Sequence, residues 1–167
     1  MNLLIIRHAI AEEWDAYDRL SKSDGRRALT AEGRAKMIRG AKGLHRLVRA
    51  LDFIVCSPLV RAQQTAEIVA TEYGMEIGDI TEALEPDARL DHFTKWAERY
   101  ASKEMVAVVG HEPHLSTLVT WLLAGIDESR IAFKKGGACL LTCDGIPEAG
   151  NAVLQWMMTP AALRELA

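Results

Sequence analysis

The sequence predicts an α/β fold: a three-layer α/β/α sandwich with a mostly parallel central sheet and antiparallel pairing near the C-terminal end. Three observations carry that reading. Short apolar runs at 3–6, 53–55 and 105–109 alternate with longer segments of helical period, as repeated strand-helix units require. The run from Met105 to Val109 is almost wholly apolar, which suits a strand covered on both faces. From Gly136 the pattern becomes extended: Ala138 to Cys143 and Ala152 to Met158 flank the turn-rich Asp144-Gly-Ile-Pro-Glu-Ala-Gly150, predicting a hairpin.

Taken in order, Leu3, Leu4, Ile5 and Ile6 form a first strand that stops on Arg7 and His8. Residues 9–29 are polar and turn-prone, with Ser21, Ser23, Asp24 and Gly25 together. That is too long for an ordinary connection, so the segment is expected to be either a functional flap beside the first strand or a mobile stretch. Trp14 falls in it and could border a pocket. Thr30 then caps a helix whose apolar stripe reads Ala31, Ala35, Ile38, Ala41, Leu44 and Val48. Arg34, Arg39, Lys42, Arg46 and Arg49 lie mostly opposite, as a solvated face.

Leu51 to Cys56 reads as the second strand. Ser57-Pro58 reads as an N-cap followed by proline at the first helical position, opening a helix that runs to Tyr73-Gly74. Met75 to Ile80 is expected as a third strand, Glu82 to Asp87 as a loop, and Leu90 to Tyr100 as a helix. After the strand at 105–109, Leu115 to Leu123 is a helix closed by Gly125, and Thr159-Pro160 caps a terminal helix.

The chain has 167 residues, 49% of them hydrophobic, enough for one well-buried core; a single domain over residues 1–167 is expected. A formal charge of −3, from 20 basic and 23 acidic residues, leaves no global cationic field, which argues against nucleic-acid and anionic-membrane binding. No apolar stretch approaches the roughly 20 residues of a membrane span, and no secretory leader is recognisable. A cytoplasmic monomer is expected. Cys56, Cys139 and Cys143 are an odd number without paired spacing, so free thiols are expected, with Cys139 and Cys143 buried on one strand face.

The chemistry gathers where strands end. Arg7 and His8 follow the first strand, Arg61 follows Phe53-Ile54-Val55 through Cys56-Ser57-Pro58-Leu59-Val60, and His111 follows Val106 to Val109 through Gly110. Open α/β sheets bind ligands at such strand ends. Two guanidiniums converging on one point suit a tetrahedral dianion, because each planar fork binds its oxygens in pairs. The same cations disfavour a protonated imidazole, and a neutral imidazole is a nucleophile. Attack by His8 on phosphorus would give a phosphohistidine, with Arg7, Arg61 and His111 stabilising the equatorial oxygens. The arginines fill the electrostatic role that metal ions play elsewhere, so no metal or cofactor is required.

Ile6-Arg7-His8, Leu29-Thr30-x-x-Gly33, Ser57-Pro58-x-x-Arg61-Ala62-x-x-Thr65 and Gly110-His111 together resemble the histidine phosphatase superfamily, also called phosphoglycerate mutase-like. The short length, Arg-His-Ala at 7–9 and Trp156-Met-Met-Thr-Pro160 look more like its SixA-type phosphohistidine phosphatases. The resemblance implies His8 as nucleophile, Arg7 and Arg61 as phosphate ligands, and His111 completing the pocket. Larger members carry a general-acid glutamate in a Trp-Glu-Gly context absent here; Glu82, Glu85 and Asp87 are the candidates, Glu85 being preferred among them, and the reading that all three are solvated loop carboxylates stands at least level with it. Because imidazole leaves phosphorus more readily than an alkoxide does, a weak acid points to phosphohistidine. The expected partner is then a phosphorylated protein such as a histidine phosphotransfer domain or phosphocarrier. The alternatives are a phosphomonoesterase for small metabolites and an idle module that binds phosphohistidine proteins.

Other signals are set aside. His111-Glu112-Pro113-His114 has the wrong spacing for a helical zinc site, and His114 reads as a surface or helix-start residue. Cys56 to Arg61 is too short for a cysteine phosphatase cradle, so Cys56 reads as a buried strand end. His45 and His92 read as surface or boundary residues, and Trp96, Trp121 and Trp156 as packing.

Overall fold

Alternation along the strands builds both halves of the core. The computed structural model describes residues 1–13 and 24–167. Its strands are β1 (Asn2–Arg7), β2 (Phe53–Cys56), β3 (Asp79–Ile80), β4 (Met105–Gly110), β5 (Ala138–Cys143) and β6 (Ala152–Met158). The order across the sheet is β3-β2-β4-β1-β5-β6. The β3/β2, β2/β4 and β4/β1 pairs are parallel, while β5 runs antiparallel to both β1 and β6. The expected sheet, parallel through its centre and antiparallel at its C-terminal side, is the one that forms.

Successive strand residues face opposite sides. Leu4, Ile6, Ile54, Cys56, Ala107 and Val109 pack into one core beneath α1 (Ala31–Leu47), α2 (Val60–Tyr73) and α5 (Pro160–Glu165). Leu3, Ile5, Val55, Val106 and Val108 pack into a second beneath α3 (Leu90–Glu98) and α4 (His114–Ala124). Both sides are covered, which is why β1 and β4 carry no polar alternation. Cys139 and Cys143 sit together in the second core, as expected.

Helix ends follow their local chemistry. Thr30 accepts from the Gly33 N–H at 2.9 Å, and Thr159 accepts from Ala162. Gly74 and Gly125 close α2 and α4 in the left-handed region that glycine enters without strain.

Four expectations need correction. The buried face of α1 is Gly33, Met37, Gly40, Ala41, Gly43 and Leu44, whereas Ala31, Ala35 and Ile38 are exposed. Its glycines mark the contact face: a Cβ on Gly33 would lie 2.0 Å from the Ile10 carbonyl oxygen, and one on Gly43 1.9 Å from that of Leu163. Secondly, α2 starts at Val60 with Leu59 in the cap position, and Ser57 only accepts from the Leu59 N–H at 3.3 Å. Thirdly, β3 is confined to Asp79–Ile80; the Met75 N–H bonds back to Ala70 and closes the helix, so Met75 and Ile77 are apolar for packing. Finally, α3 ends at Glu98, two residues early.

The base of the 9–29 segment is anchored. Ala11 pairs with Leu29, Thr30 donates to Ile10, and Asp24–Arg26 forms a 3₁₀ turn. Trp14, and with it the expectation that it borders a pocket, lies outside the described residues.

Candidate active site

Parallel register sets the site. Arg7 on β1 lies opposite Gly110 on β4, so the next residue of each strand leaves the sheet side by side. The His8 N–H donates to the Gly110 carbonyl at 3.0 Å, and the His8 and His111 rings stand 5.0 Å apart at 50°. Arg61 enters from the first turn of α2. Thr65, one turn further on and fully buried, ties that turn to β1: its hydroxyl donates to the Arg61 carbonyl at 2.7 Å and accepts from the Ala9 N–H at 3.0 Å. The Gly136 N–H donates to both the Arg7 and His8 carbonyls at 3.1 Å, and its φ of +77° favours glycine.

The tautomer of His8 follows from its neighbour. Nδ1 lies 2.7 Å from the Ala9 carbonyl, which only accepts, so Nδ1 carries the proton and Nε2 presents a lone pair. Burial, with the charges of Arg61, Arg7 and Lys135 adding to it, lowers the His8 pKa to about 3. Burial and the neighbouring His8 and Arg61 lower that of His111 to about 2. Both rings are therefore neutral at pH 7.

Around them, hydrogen-bonding capacity is held in reserve. Arg7 Nη1 donates to the Phe133 carbonyl at 2.5 Å, but its buried Nε has no partner among the described residues. Arg61, with its side chain 4% exposed, donates through Nη1 to the Asp24 carbonyl and through Nη2 to Asp24 Oδ2, each at 3.0 Å, while its Nε is unpartnered. Both ring nitrogens of His111 are buried and unpartnered as well. Buried polar groups in native proteins rarely go unpaired, so this concentration marks a place for an oxygen-rich ligand. Arg7, His8, Arg61 and His111 are thus brought together.

Glu85 sits half-buried directly after the 3₁₀ turn Glu82–Leu84, whereas Glu82 and Asp87 are exposed. Burial, together with the charges of Glu82 and Asp87, raises the Glu85 pKa, which favours a proton-bearing carboxyl over that of an ordinary surface glutamate.

The structure adds residues that sequence reasoning missed. Asp24 reaches Arg61 across 37 positions of sequence and pairs with Arg27 Nε at 2.6 Å; no local pattern announces it. Thr65 stood in the quoted motif without a role. His114 does begin α4, but it is 3% exposed with both ring nitrogens unpartnered among the described residues, which corrects its reading as a surface residue. Cys56 is fully buried, with its thiol pushed up to about 12 by burial, as suits a strand end.

Comparisons with known proteins bear on this geometry. Residues 3–88 match the family model of the histidine phosphatase superfamily (branch 1). An uncharacterized protein of Picosynechococcus sp. is 33% identical over 142 residues, spanning 82% of each chain. The protein histidine phosphatase SixA, solved with tungstate, superposes at a TM-score of 0.82 with 26% identity, over 98% of this chain and 99% of that one. Alpha-ribazole phosphatase of Shigella flexneri shares the fold at a TM-score of 0.66 and 20% identity, over 96% and 97%.

Proposed function

The chain belongs to the histidine phosphatase superfamily and is SixA-like, and from that premise we propose that it removes the phosphoryl group from phosphohistidine on a signalling or phosphocarrier protein. His8 is the nucleophile. Its Nε2 attacks phosphorus in line; the new P–N bond forms as the bond to the substrate imidazole breaks, and the bonding electron pair leaves with that imidazole, which takes up a proton. Water then attacks the phosphohistidine at residue 8, releasing phosphate and restoring the neutral ring.

Arg7, Arg61 and His111 meet the three equatorial oxygens, where charge accumulates in the transition state. Their unpartnered N–H groups are fixed before substrate arrives, so little reorganisation is needed. Two guanidiniums supply the positive charge, and the reaction on this reading needs no metal ion or cofactor. Glu85 is the proton donor to the leaving nitrogen, a modest task because imidazole is a good leaving group. The observation that carries the reading is the Nδ1 bond from His8 to Ala9, which leaves Nε2 bare on a ring 5.0 Å from that of His111. The tungstate complex of SixA supports it, tungstate being a phosphate-like oxyanion.

The test is a donor panel: a histidine-phosphorylated phosphocarrier, a histidine-phosphorylated phosphotransfer domain, phosphoserine and sugar phosphates, each with and without chelator. Turnover is expected to be at least about tenfold faster on the phosphohistidine donors, unchanged by chelator and blocked by vanadate, with a phosphoryl mass shift on the peptide containing His8. A clear preference for a phosphomonoester would overturn the substrate assignment; activity lost to chelator and restored by a metal ion would overturn the electrostatic one.

A further inference from the structure

Next to the catalytic cluster, and sharing none of its four side chains, lies a cavity of about 150 Å³ between α1, the turn before β5 and α5. Ala9, covalently joined to His8, forms part of its wall, and Gly136, whose N–H holds the His8 carbonyl, forms another part. Lys135 lines it too, close enough for its charge to lower the His8 pKa. A group seated there is an immediate neighbour of the nucleophile.

Its chemistry is mixed in a particular way. Met37 and Pro160 give an apolar surface, while Lys36, Lys135 and Arg164 supply cations. Lys36 is paired with Glu32 on the exposed face of α1, but neither Lys135 nor Arg164 has a carboxylate partner among the described residues. In a chain of net charge −3, such a group of cations is a local feature. The cavity is also kept open: Gly40 lies buried in the middle of α1 and lines it, yet a Cβ there would meet nothing within 4 Å. Packing does not require glycine at this position, and helix propensity opposes it.

Resting on the phosphohistidine reading, we infer that this cavity is a specificity subsite for one carboxylate side chain, an aspartate or glutamate, carried by the phosphorylated partner protein beside its phosphohistidine. Methylenes of that side chain lie on Met37 and Pro160 while the carboxylate meets the cations. Recognition of the partner then uses two anions at once, the phosphoryl group at His8 and the carboxylate next to it. A partner without the acidic neighbour is turned over through the same chemistry but held less well.

The experiment compares two phosphohistidine peptides that differ only in having glutamates or glutamines beside the phosphorylated residue, with phosphoramidate as a donor lacking any flank. The enzymes are wild type, the double variant Lys36→Ala/Arg164→Ala, and Gly40→Leu, which fills the cavity. Wild type is expected to show a KM about tenfold lower on the glutamate peptide with equal kcat. Both variants are expected to erase that difference while their turnover of phosphoramidate stays at the wild-type level, which also shows that they fold. Equal KM values for the two peptides in wild type, or a preference that survives both variants, would overturn the subsite.

Failure of the functional reading looks different: wild type would hydrolyse none of the three donors. The subsite is then judged by binding, from the amide NMR signals of Gly40 and Gly136 during titration with unphosphorylated peptide. Shifts with the glutamate peptide and none with the glutamine peptide uphold it; no shift with either refutes it.

Discussion

At the scale of single residues, one hydrogen bond decides which nitrogen of His8 is left free for the proposed attack. The Ala9 carbonyl accepts a hydrogen bond from the His8 Nδ1–H, and the same residue is clamped by the Thr65 hydroxyl at the Ala9 N–H. The ring is thus oriented from both ends of residue 9, leaving Nε2 free. On the proposed mechanism, removal of the nucleophile separates chemistry from binding, because Arg7, Arg61 and His111 would hold the anion independently of it. His8→Ala is expected to lower kcat by at least about a thousandfold, while vanadate still binds, within about tenfold of wild type by calorimetry. Turnover near the wild-type rate would remove His8 from the reaction, and complete loss of vanadate binding would show that the ring itself holds the ligand. The four residues gathered at this site were legible in the sequence because Arg7 and His8 directly follow an apolar run, His111 follows one through Gly110, and Arg61 stands in the Ser-Pro-x-x-Arg motif beyond another. Asp24 was not legible: its partner Arg61 is far away in sequence, and only the folded turn at Asp24–Arg26 brings them together.

At the scale of elements, α1 shows where periodicity reasoning loses its phase. Hydrophobic counting rewards Ala31, Ala35 and Ile38, all exposed, and ignores Gly33, Gly40 and Gly43, all buried. Where helix backbone touches backbone, the contact face carries no side chain, so a pattern built on apolar side chains points elsewhere. Strands do not suffer this, and the apolar runs at 3–6 and 105–109 lie on β1 and β4 as read. The two inner glycines of α1 offer a matched comparison. A Cβ on Gly43 would collide with the Leu163 carbonyl in α5, and the backbone there has little room to yield. Gly43→Ala is expected to destabilise the protein by about 1–3 kcal/mol. Gly40→Ala meets nothing within 4 Å and is expected to stabilise it by up to about 1 kcal/mol through helix propensity. Thermal melts of the two variants should therefore move in opposite directions; a shift of the same sign would contradict the contact geometry.

At the scale of the whole molecule, the site makes the fold sensitive to acid. Sheet order places β1 between β4 and β5, so His8 and His111 emerge from the centre of the structure with little water around them. His8, His111 and His114 are all buried, and burial lowers their pKa values to about 3, 2 and 4. In the unfolded chain each returns to about 6.5. Below pH 6.5 the unfolded state therefore takes up protons that the folded state refuses, and the equilibrium moves toward unfolding as pH falls. The loss for each histidine begins near its unfolded pKa, continues down to its folded value, and is at most about 1.4 kcal/mol per pH unit. Carboxylates such as Asp24 and Asp79, held low in the fold by hydrogen bonds and neighbouring cations, act in the same direction but only near and below the usual carboxylate value of about 4. Urea unfolding between pH 7 and pH 5 reads chiefly the three histidines, with Glu85, whose pKa the fold raises, acting in the opposite sense. Stability is expected to fall steadily across that range, and His114→Asn, which leaves the proposed reacting groups in place, is expected to reduce the slope by about one third, since three buried rings share it. Stability that is flat from pH 7 to pH 5, or a slope untouched by His114→Asn, would mean that these rings are not held neutral by the fold, and would remove the basis for a neutral His8 at working pH.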